Sequence, residues 1–442
     1  MDSDCFSTSI LDLPHEAVLH ICRYLDYPDL KSLGQTCKML QDIADDNFFW
    51  KKLCKYYWLD ECCPEGKSWK QHFYSIYEQF GRYKDVYRKI RRAWKKIEEF
   101  TKENCPVIHR TLNKGLSETQ LAEIEEKLQC NLPEDLRCSY RIHNGQEICC
   151  NTNQFVFAGL MGTKTSYMQL FQEGDYYFNN NFSSDHLFDL NEATNQYQMY
   201  RDLDGFIALT ICTAHYDSQF ISINDESGID IGMVVHPDPV VGNLPLGVTP
   251  ELDISYDCFI MANSFTEWLC SHADNLEAKL YPVLDEHIYK FLKEPSCTWT
   301  TNFITVTVAT CFMPEYSSIA ESTFCHAYFI TLHMADNAPK EEVWQLETRH
   351  WEIIDENDVK EVVDGPGVVG EYPIMRPGSK HSWISSTRFS TSYGNMRGHF
   401  TMKHIRTGKT IDVICPVFHM QAPKFVTSDD RSLRRAENFP YS

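Results

Sequence analysis

The run Gly365-Pro366-Gly367-Val368-Val369-Gly370 spaces three glycines as a dinucleotide fingerprint does. That fingerprint works where a strand passes into a helix whose N-terminal amides and dipole hold a pyrophosphate. Here Pro373 and Pro377-Gly378 follow at once, so no helix of useful length can start. The spacing instead predicts a tight interstrand loop in which glycine accepts positive φ. A smaller chemistry survives: in a loop begun by Gly365 and Gly367, the exposed amides of Val368, Val369 and Gly370 could form a nest for an anion.

Other reactive residue types lead to less. The 18 cysteines include two adjacent pairs, Cys62-Cys63 and Cys149-Cys150, but no C-x-x-C. Zinc sites need paired ligands two to four residues apart, so these thiols read as small core residues kept reduced. A nucleophilic cysteine needs a cationic, partly exposed setting. Cys105, soon after a basic tract, comes nearest to it. None of the 17 histidines forms a metal-spaced pair with nearby carboxylates. His143 beside Asn144-Gly145 reads as a turn or capping residue. There is no G-x-S-x-G, H-E-x-x-H or P-loop. No metal or cofactor is expected.

The 442 residues predict about three domains. A formal charge of −21 argues against nucleic acid as a partner. Without a basic n-region or an 18-residue apolar run, neither a signal peptide nor a membrane span is expected. The match Asn181-Phe182-Ser183 to a glycosylation sequon is then a chance one.

Three elements must position whatever binding surface the chain has. In residues 10 to 57, Leu13, Val18, Leu19, Ile21 and Leu25 fall at helical spacing before an Asp26–Pro28 turn. Leu30, Leu33 and Cys37 repeat the period; Leu40, Ile43, Phe49, Trp50 and Leu53 follow on a third segment. Three short helices with this much apolar surface bury only part of it against each other, which implies a partner, either the downstream domain or another protein. Leu13-Pro14, Ile21, Leu25-Asp26, Asp29-Leu30, Cys37-Lys38 and Trp50-Lys51 fall at the marked positions of an F-box, which the stretch resembles. Leu40 stands where many F-boxes carry Trp. The resemblance implies docking of a Skp-type adaptor through Leu13, Pro14, Ile21, Leu25, Leu30, Leu33, Cys37 and Trp50. Through that adaptor it implies the cullin and RING subunits of a ubiquitin ligase.

From Tyr83, the residues Val86, Tyr87, Ile90, Trp94 and Ile97 give a helical stripe, with Arg82, Lys84, Arg88, Lys89, Arg91, Arg92, Lys95 and Lys96 on the other faces. Such a helix can be a nucleic-acid, membrane or targeting patch, or a connector with a solvated face that pairs with acidic surface elsewhere. The connector is the simpler reading, with Trp94 packed on the next domain.

That domain opens with a capping box at Ser117 and Gln120 and a stripe of Leu121, Ile124 and Leu128. A second helix starts with Pro133 at its first position and ends at Asn144-Gly145. Strands are expected at Phe155–Leu160, Phe206–Ile211, Gln219–Ile223, Met233–His236 and Cys258–Ile260, then a helix capped by Ser264 and Glu267. Residues 172 to 202, polar and Asn-rich, read as a surface insertion. Leu121, Ile124-Glu125, Leu132-Pro133, Asn144-Gly145 and Phe265-x-x-Trp268-Leu269 resemble the SUKH (Smi–Knr) family, which implies an α+β interaction module.

A short linker helix is expected from Asp285 to Leu292. Beyond it, Ile304–Val308, Tyr328–Leu332, Arg349–Ile354, Val359–Val363, Trp383–Thr387, His399–Met402 and Ile411–Cys415 predict a β-sandwich. Gln345-Leu346 with Arg349 and Trp351, the loop 365–370 with Pro373, Pro377-Gly378, and Gly394-Asn395-Met396-Arg397-Gly398 are similar to an ApaG domain. That implies a fibronectin-like sandwich and, as in some ApaG proteins, binding of phosphate-rich ligands.

The expected order is thus an F-box at 8–57, a helical linker at 58–110, a SUKH-like domain at 111–282 and a linker helix at 283–295. An ApaG-like sandwich at 296–424 and a polar tail at 425–442 complete it. The resemblances imply a non-catalytic substrate receptor of a Skp–cullin–F-box ligase, in cytoplasm and nucleus, that holds protein substrates with its second and third domains. The alternative is an adaptor-bound scaffold or ligand sensor whose glycine loop reads an anion.

Overall fold

The computed structural model describes residues 10–147, 159–164, 183–197, 205–212, 218–238 and 257–431. It divides into two compact units, Met1–Arg92 and Ala93–Ser442. The expected strand Phe155–Leu160 lies mostly outside the described residues, as do Cys149-Cys150 and most of the sequon.

The first unit is helical throughout. His15–Cys22 is followed by Tyr27–Gly34, whose N-cap Asp26 accepts a hydrogen bond from the Tyr27 amide. The expected third segment is two helices, Lys38–Ala44 and Asn47–Leu53. The break has a physical cause: the Asp46 carboxylate accepts from the Phe48 amide at 2.8 Å, an N-cap that starts a new helix. Trp69–Phe80 then opens on a complete capping box of Ser68 and Gln71. Although it falls within the expected linker, this helix is part of the core. Its Phe73 is fully buried, 5.3 Å from the Trp50 ring and 5.6 Å from Trp58.

The division between the units falls inside the long helix Lys84–Asn104. In the second unit, Glu118–Leu128 carries the expected capping box, and Glu134–Ile142 has Pro133 at its N-cap. A five-stranded antiparallel sheet runs in the order Phe425–Val426, Cys258–Ala262, Val234–Pro237, Phe220–Ser222, Phe206–Ala208. A smaller sheet holds Gly162–Lys164, Ser183–Leu187 and Thr210–Cys212. Helix Phe265–Glu277 buries Phe265, Trp268 and Leu269 as its stripe requires.

Three expectations need correction here. Residues 183–197, within the stretch read as a surface insertion, are regular structure that is interior in part. Ser184, Asp185, His186 and Leu187 are buried in a strand, and helix Leu190–Tyr197 follows. Their polar look misleads because several of the buried polar groups have specific partners. The Gly159 amide donates to Ser184 Oγ at 2.9 Å, and Lys290 Nζ lies 3.1 Å from Asp185 Oδ2. Second, no helix spans Asp285–Leu292. Val283–Leu284 pairs with His287–Ile288 as a hairpin whose turn residues Asp285 and Glu286 have φ of 49° and 62°. Leu292 already begins a strand. Third, the polar tail starts folded. Phe425 and Val426 pair with Phe259 and Cys258, and the buried Arg431 donates from Nε to the Ser227 carbonyl at 3.0 Å.

The sandwich is as expected. One sheet comprises Leu292–Thr301, Ile304–Phe312, Phe324–Met334 and Lys380–Phe389. The other comprises Lys360–Pro366, Trp344–Asp355, Tyr393–His404 and Thr410–Gln421, with Ile374–Met375 added beside Trp344–Asp355. Alternate residues point inward, and Ile304, Val306, Val308, Ile330, Leu332, Trp351, Trp383, Phe400 and Phe418 form one core.

Candidate partner-binding surfaces

The eight residues expected to dock an adaptor separate by burial. Leu13 and Ile21 are 39% and 40% exposed, and Pro14 is exposed beside them. Leu25, Leu33 and Cys37 are half-buried. Leu30 and Trp50 are 1% and 0% exposed, buried within the helical unit itself. Trp50 donates from Nε1 to the Ala44 carbonyl at 2.7 Å and packs between Phe73 and Tyr74. Both side chains lie inside the unit, and for Trp50 the helix Trp69–Phe80 supplies the packing partners.

Further side chains on the outside were missed. Leu11, Tyr24, Met39 and Phe48 are 50%, 79%, 45% and 54% exposed. Tyr24 lies three residues after Ile21, a spacing that puts the two on one side of a helical turn. The Arg23 guanidinium lies 5.3 Å from the Phe48 ring centre.

In the glycine loop, Lys360–Pro366 ends and the chain reverses without a helix. Val368 and Glu371 exchange two backbone hydrogen bonds of 2.9 Å around Val369 and Gly370, whose φ angles are 49° and 77°. The Gly367 amide donates to the Glu347 carbonyl at 2.8 Å, and Arg349 Nη1 donates to the carbonyls of Pro366 and Gly367. Gly365 sits in the strand, where a Cβ would press on the Arg349 guanidinium. The fold therefore uses the amides of Gly367 and Val368, and those of Val369 and Gly370 stay outside these bonds.

The remaining candidates are structural. Burial pushes the Cys105 thiol up to about 12, so it is protonated at neutral pH. His143 caps Glu134–Ile142, with Nε2 2.9 Å from Glu98 and Nδ1 3.0 Å from the Asn113 carbonyl. Trp94 donates to Ser139 Oγ at 2.9 Å, packing on the α+β region as expected. Lys96, from the basic tract, pairs with Asp274 and Glu277 at 2.7 and 2.6 Å, and these carboxylates raise its pKa. Among the described residues, no helix is long and apolar enough to cross a membrane, and no group of three or more His, Cys, Asp or Glu side chains could hold a metal ion.

Comparison with known proteins bears on these surfaces. Residues 10–56 match an F-box-like model, 115–271 the SMI1 / KNR4 family (SUKH-1), and 314–404 the ApaG domain. Over 434 residues the chain is 32% identical to "F-box only protein 3" of Homo sapiens, covering 97% of this chain and 86% of that protein. The chain belongs to the F-box only protein 3 family. The Bos taurus member is equally similar, at 32% identity with 87% of its length covered. "Protein ApaG" of Pseudomonas aeruginosa strain LESB58 is 36% identical over 124 residues, 28% of this chain and 94% of its own length. In this member of the F-box only protein 3 family, Leu13, Ile21, Tyr24, Met39 and Phe48 all lie within the F-box-like match, whereas Phe73, which closes the core on Trp50, lies beyond it.

Proposed function

We propose that this chain is the substrate-recognition subunit of a Skp–cullin–F-box ubiquitin ligase. The observation that carries the reading is the exposure of Leu11, Leu13, Ile21, Tyr24 and Met39 on a helical unit whose core is already filled by Trp50, Trp58 and Phe73. Apolar side chains left outside a closed core mark a protein interface, and the F-box-like match supports a Skp-type adaptor as its occupant. The cullin and RING subunits follow through that adaptor. The α+β domain and the sandwich then hold a protein substrate for ubiquitination and proteasomal degradation. The chain's contribution is proximity: it raises the effective concentration of substrate lysines near a loaded conjugating enzyme. Such a subunit works in cytoplasm and nucleus. The anion-sensor alternative has less support, because the glycine loop spends two of its amides on its own fold.

The test is a pull-down with the tagged full-length chain, wild type against Leu13→Ala with Pro14→Ala and Ile21→Ala. These positions are exposed, so the triple variant should fold. Wild type should bring down adaptor and cullin, and the triple variant neither. Failure of the wild type to bring down an adaptor would overturn the reading.

A further inference from the structure

Within the second unit, the outer face of the four-stranded sheet is roofed over. A cavity of about 440 Å³ lies between this face and a cover made from Phe100 and Asn104 of the long helix, Lys279, and the hairpin side chains Tyr281–Leu284. The sheet residues lining it, Lys293, Thr307, Ala309, Phe329, Thr331, His333, Lys380 and Ser382, share one parity of the strand register. Lys293 pairs with Ala309, Thr307 with Thr331, Thr331 with Ser382, and His333 with Lys380.

The charge in this cavity is one-sided. Lys279, Lys293 and Lys380 line it with His333 and the four hydroxyl side chains Tyr281, Thr307, Thr331 and Ser382, and no carboxylate does. Among the described residues, none of these three lysines forms an ion pair. By contrast, Lys96 is held by Asp274 and Glu277, and Lys290 by Asp185. In a chain of net charge −21, three unpaired ammonium groups in one concavity make a local positive potential against a negative background.

We infer that this cavity binds an acidic peptide segment of a partner protein, with two or more anionic side chains, carboxylate or phosphate, set along an extended backbone. The register gives the spacing. Lys293 and Lys380 are three strands apart, about 14 Å, and four residues apart along the strands, about 13 Å. Their α-carbons are thus on the order of 19 Å apart, which two anionic groups span better than one. Acidic side chains at alternate residues of an extended peptide repeat every ~7 Å and offer such groups. The hydroxyls of Thr307 and Ser382 provide neutral donors between them. The peptide's identity as part of a ubiquitination substrate rests on the receptor reading above; the binding itself does not.

The experiment is fluorescence anisotropy on the isolated full-length chain, with a labelled nine-residue peptide carrying Glu at alternate positions. Parallel arms use its Gln counterpart, a version with phosphoserine at the central acidic position, and inorganic diphosphate as competitor. The Glu or phosphoserine peptide should bind and the Gln peptide should not, with affinity falling as salt rises. Lys279→Ala with Lys293→Ala and Lys380→Ala should weaken binding on the order of tenfold or more. Lys409→Ala, on an exposed turn of the other sheet, should leave it unchanged. Lys380→Glu alone, at an exposed position, guards against misfolding of the triple variant and should weaken binding as strongly. Equal binding by wild type and both cavity variants would overturn the inference. So would failure of both acidic peptides to bind the wild-type chain. No adaptor takes part, so failure here leaves the adaptor reading standing, and the converse holds.

Discussion

In the helical unit, Leu13, Ile21, Tyr24, Met39 and Phe48 lie on the outside of short helices, between 39% and 79% exposed. In the sandwich, apolar side chains also reach the surface, but at margins. Trp299 is on the end strand Leu292–Thr301, Val362 on Lys360–Pro366, and Ile414 and Val417 on Thr410–Gln421. The central strand Trp344–Asp355 directs Trp344, Leu346 and Trp351 inward, and Phe324–Met334 directs Tyr328, Ile330 and Leu332 inward while its Phe329 is buried on the opposite face. The contrast follows from periodicity. A strand has two faces, so parity decides which residues enter the core. A two-turn helix has an apolar stripe wide enough to serve two neighbours, and period alone cannot say which residue meets which.

The largest effect that tests this contrast is at Trp50. Trp50→Ala should cost the helical unit about 3–5 kcal/mol, because it removes a fully buried indole and its bond to Ala44. Chemical unfolding followed in that unit measures it. A change below 1 kcal/mol would mean that Trp50 is a surface anchor after all. The opposite behaviour is expected of Leu13→Ala combined with Ile21→Ala. At about 2 kcal/mol for each lost anchor, adaptor affinity should fall on the order of a hundredfold or more. Stability should change by less than about 1 kcal/mol, since neither side chain is in the core. If both properties fall together in that pair, its residues are structural and the division by burial fails.

The same contrast explains what could be read before the fold was known. The sandwich strands were legible because β-branched and aromatic runs such as Ile304–Val308 and Tyr328–Leu332 alternate cleanly with turns. The helix caps at Ser117 and Ser264 were legible because capping chemistry is local. Glu267, expected to close a box on Ser264, instead accepts from the Asn263 amide at 3.0 Å. What failed was non-local. Leu30 and Trp50 satisfy the same period as Leu13 and Ile21, yet both are inside, Trp50 against Phe73 and Tyr74 of the helix Trp69–Phe80. Ser183–Leu187 looks like loop because its polar atoms find partners far along the chain, such as Lys290. The three-lysine cavity had no sequence signal, because sheet register and a distant hairpin assemble it.

Within the sandwich, a close backbone approach should be the next most sensitive point. A Cβ at Gly398 would run into the His350 carbonyl and the Trp351 ring, at the bulge between Met396 and Gly398. Gly398→Ala should therefore cost about 1–3 kcal/mol of sandwich stability, read by thermal unfolding. An unchanged midpoint would show that the two central strands of this sheet can spread freely.

The smallest expected effect concerns acid. His272 and His326 are buried in the second unit, and desolvation lowers each to about 4. Unfolded, each would titrate near ~6.5. Between these values the unfolded chain binds the extra proton, so stability is full above pH ~6.5 and is lost as pH falls towards 4. Asp238 acts with the opposite sign. Burial raises its carboxyl to about 6 despite the Ile319 amide at 2.6 Å, so below that pH the folded chain binds an extra proton. Two histidines against one aspartate leave a net loss of stability on acidification from these three groups. His326, set between Phe312 and Phe389, can be removed from this balance. His326→Phe should shift stability by a constant amount through packing and should also remove one proton from the slope. Its acid loss between pH 7.5 and 5.5 should be smaller than that of wild type by about 1 kcal/mol. Denaturant unfolding at the two pH values separates the constant from the slope. Equal slopes would mean that the ring is hydrated and charged in the folded chain, which would place a polar breach in the wall of the sandwich.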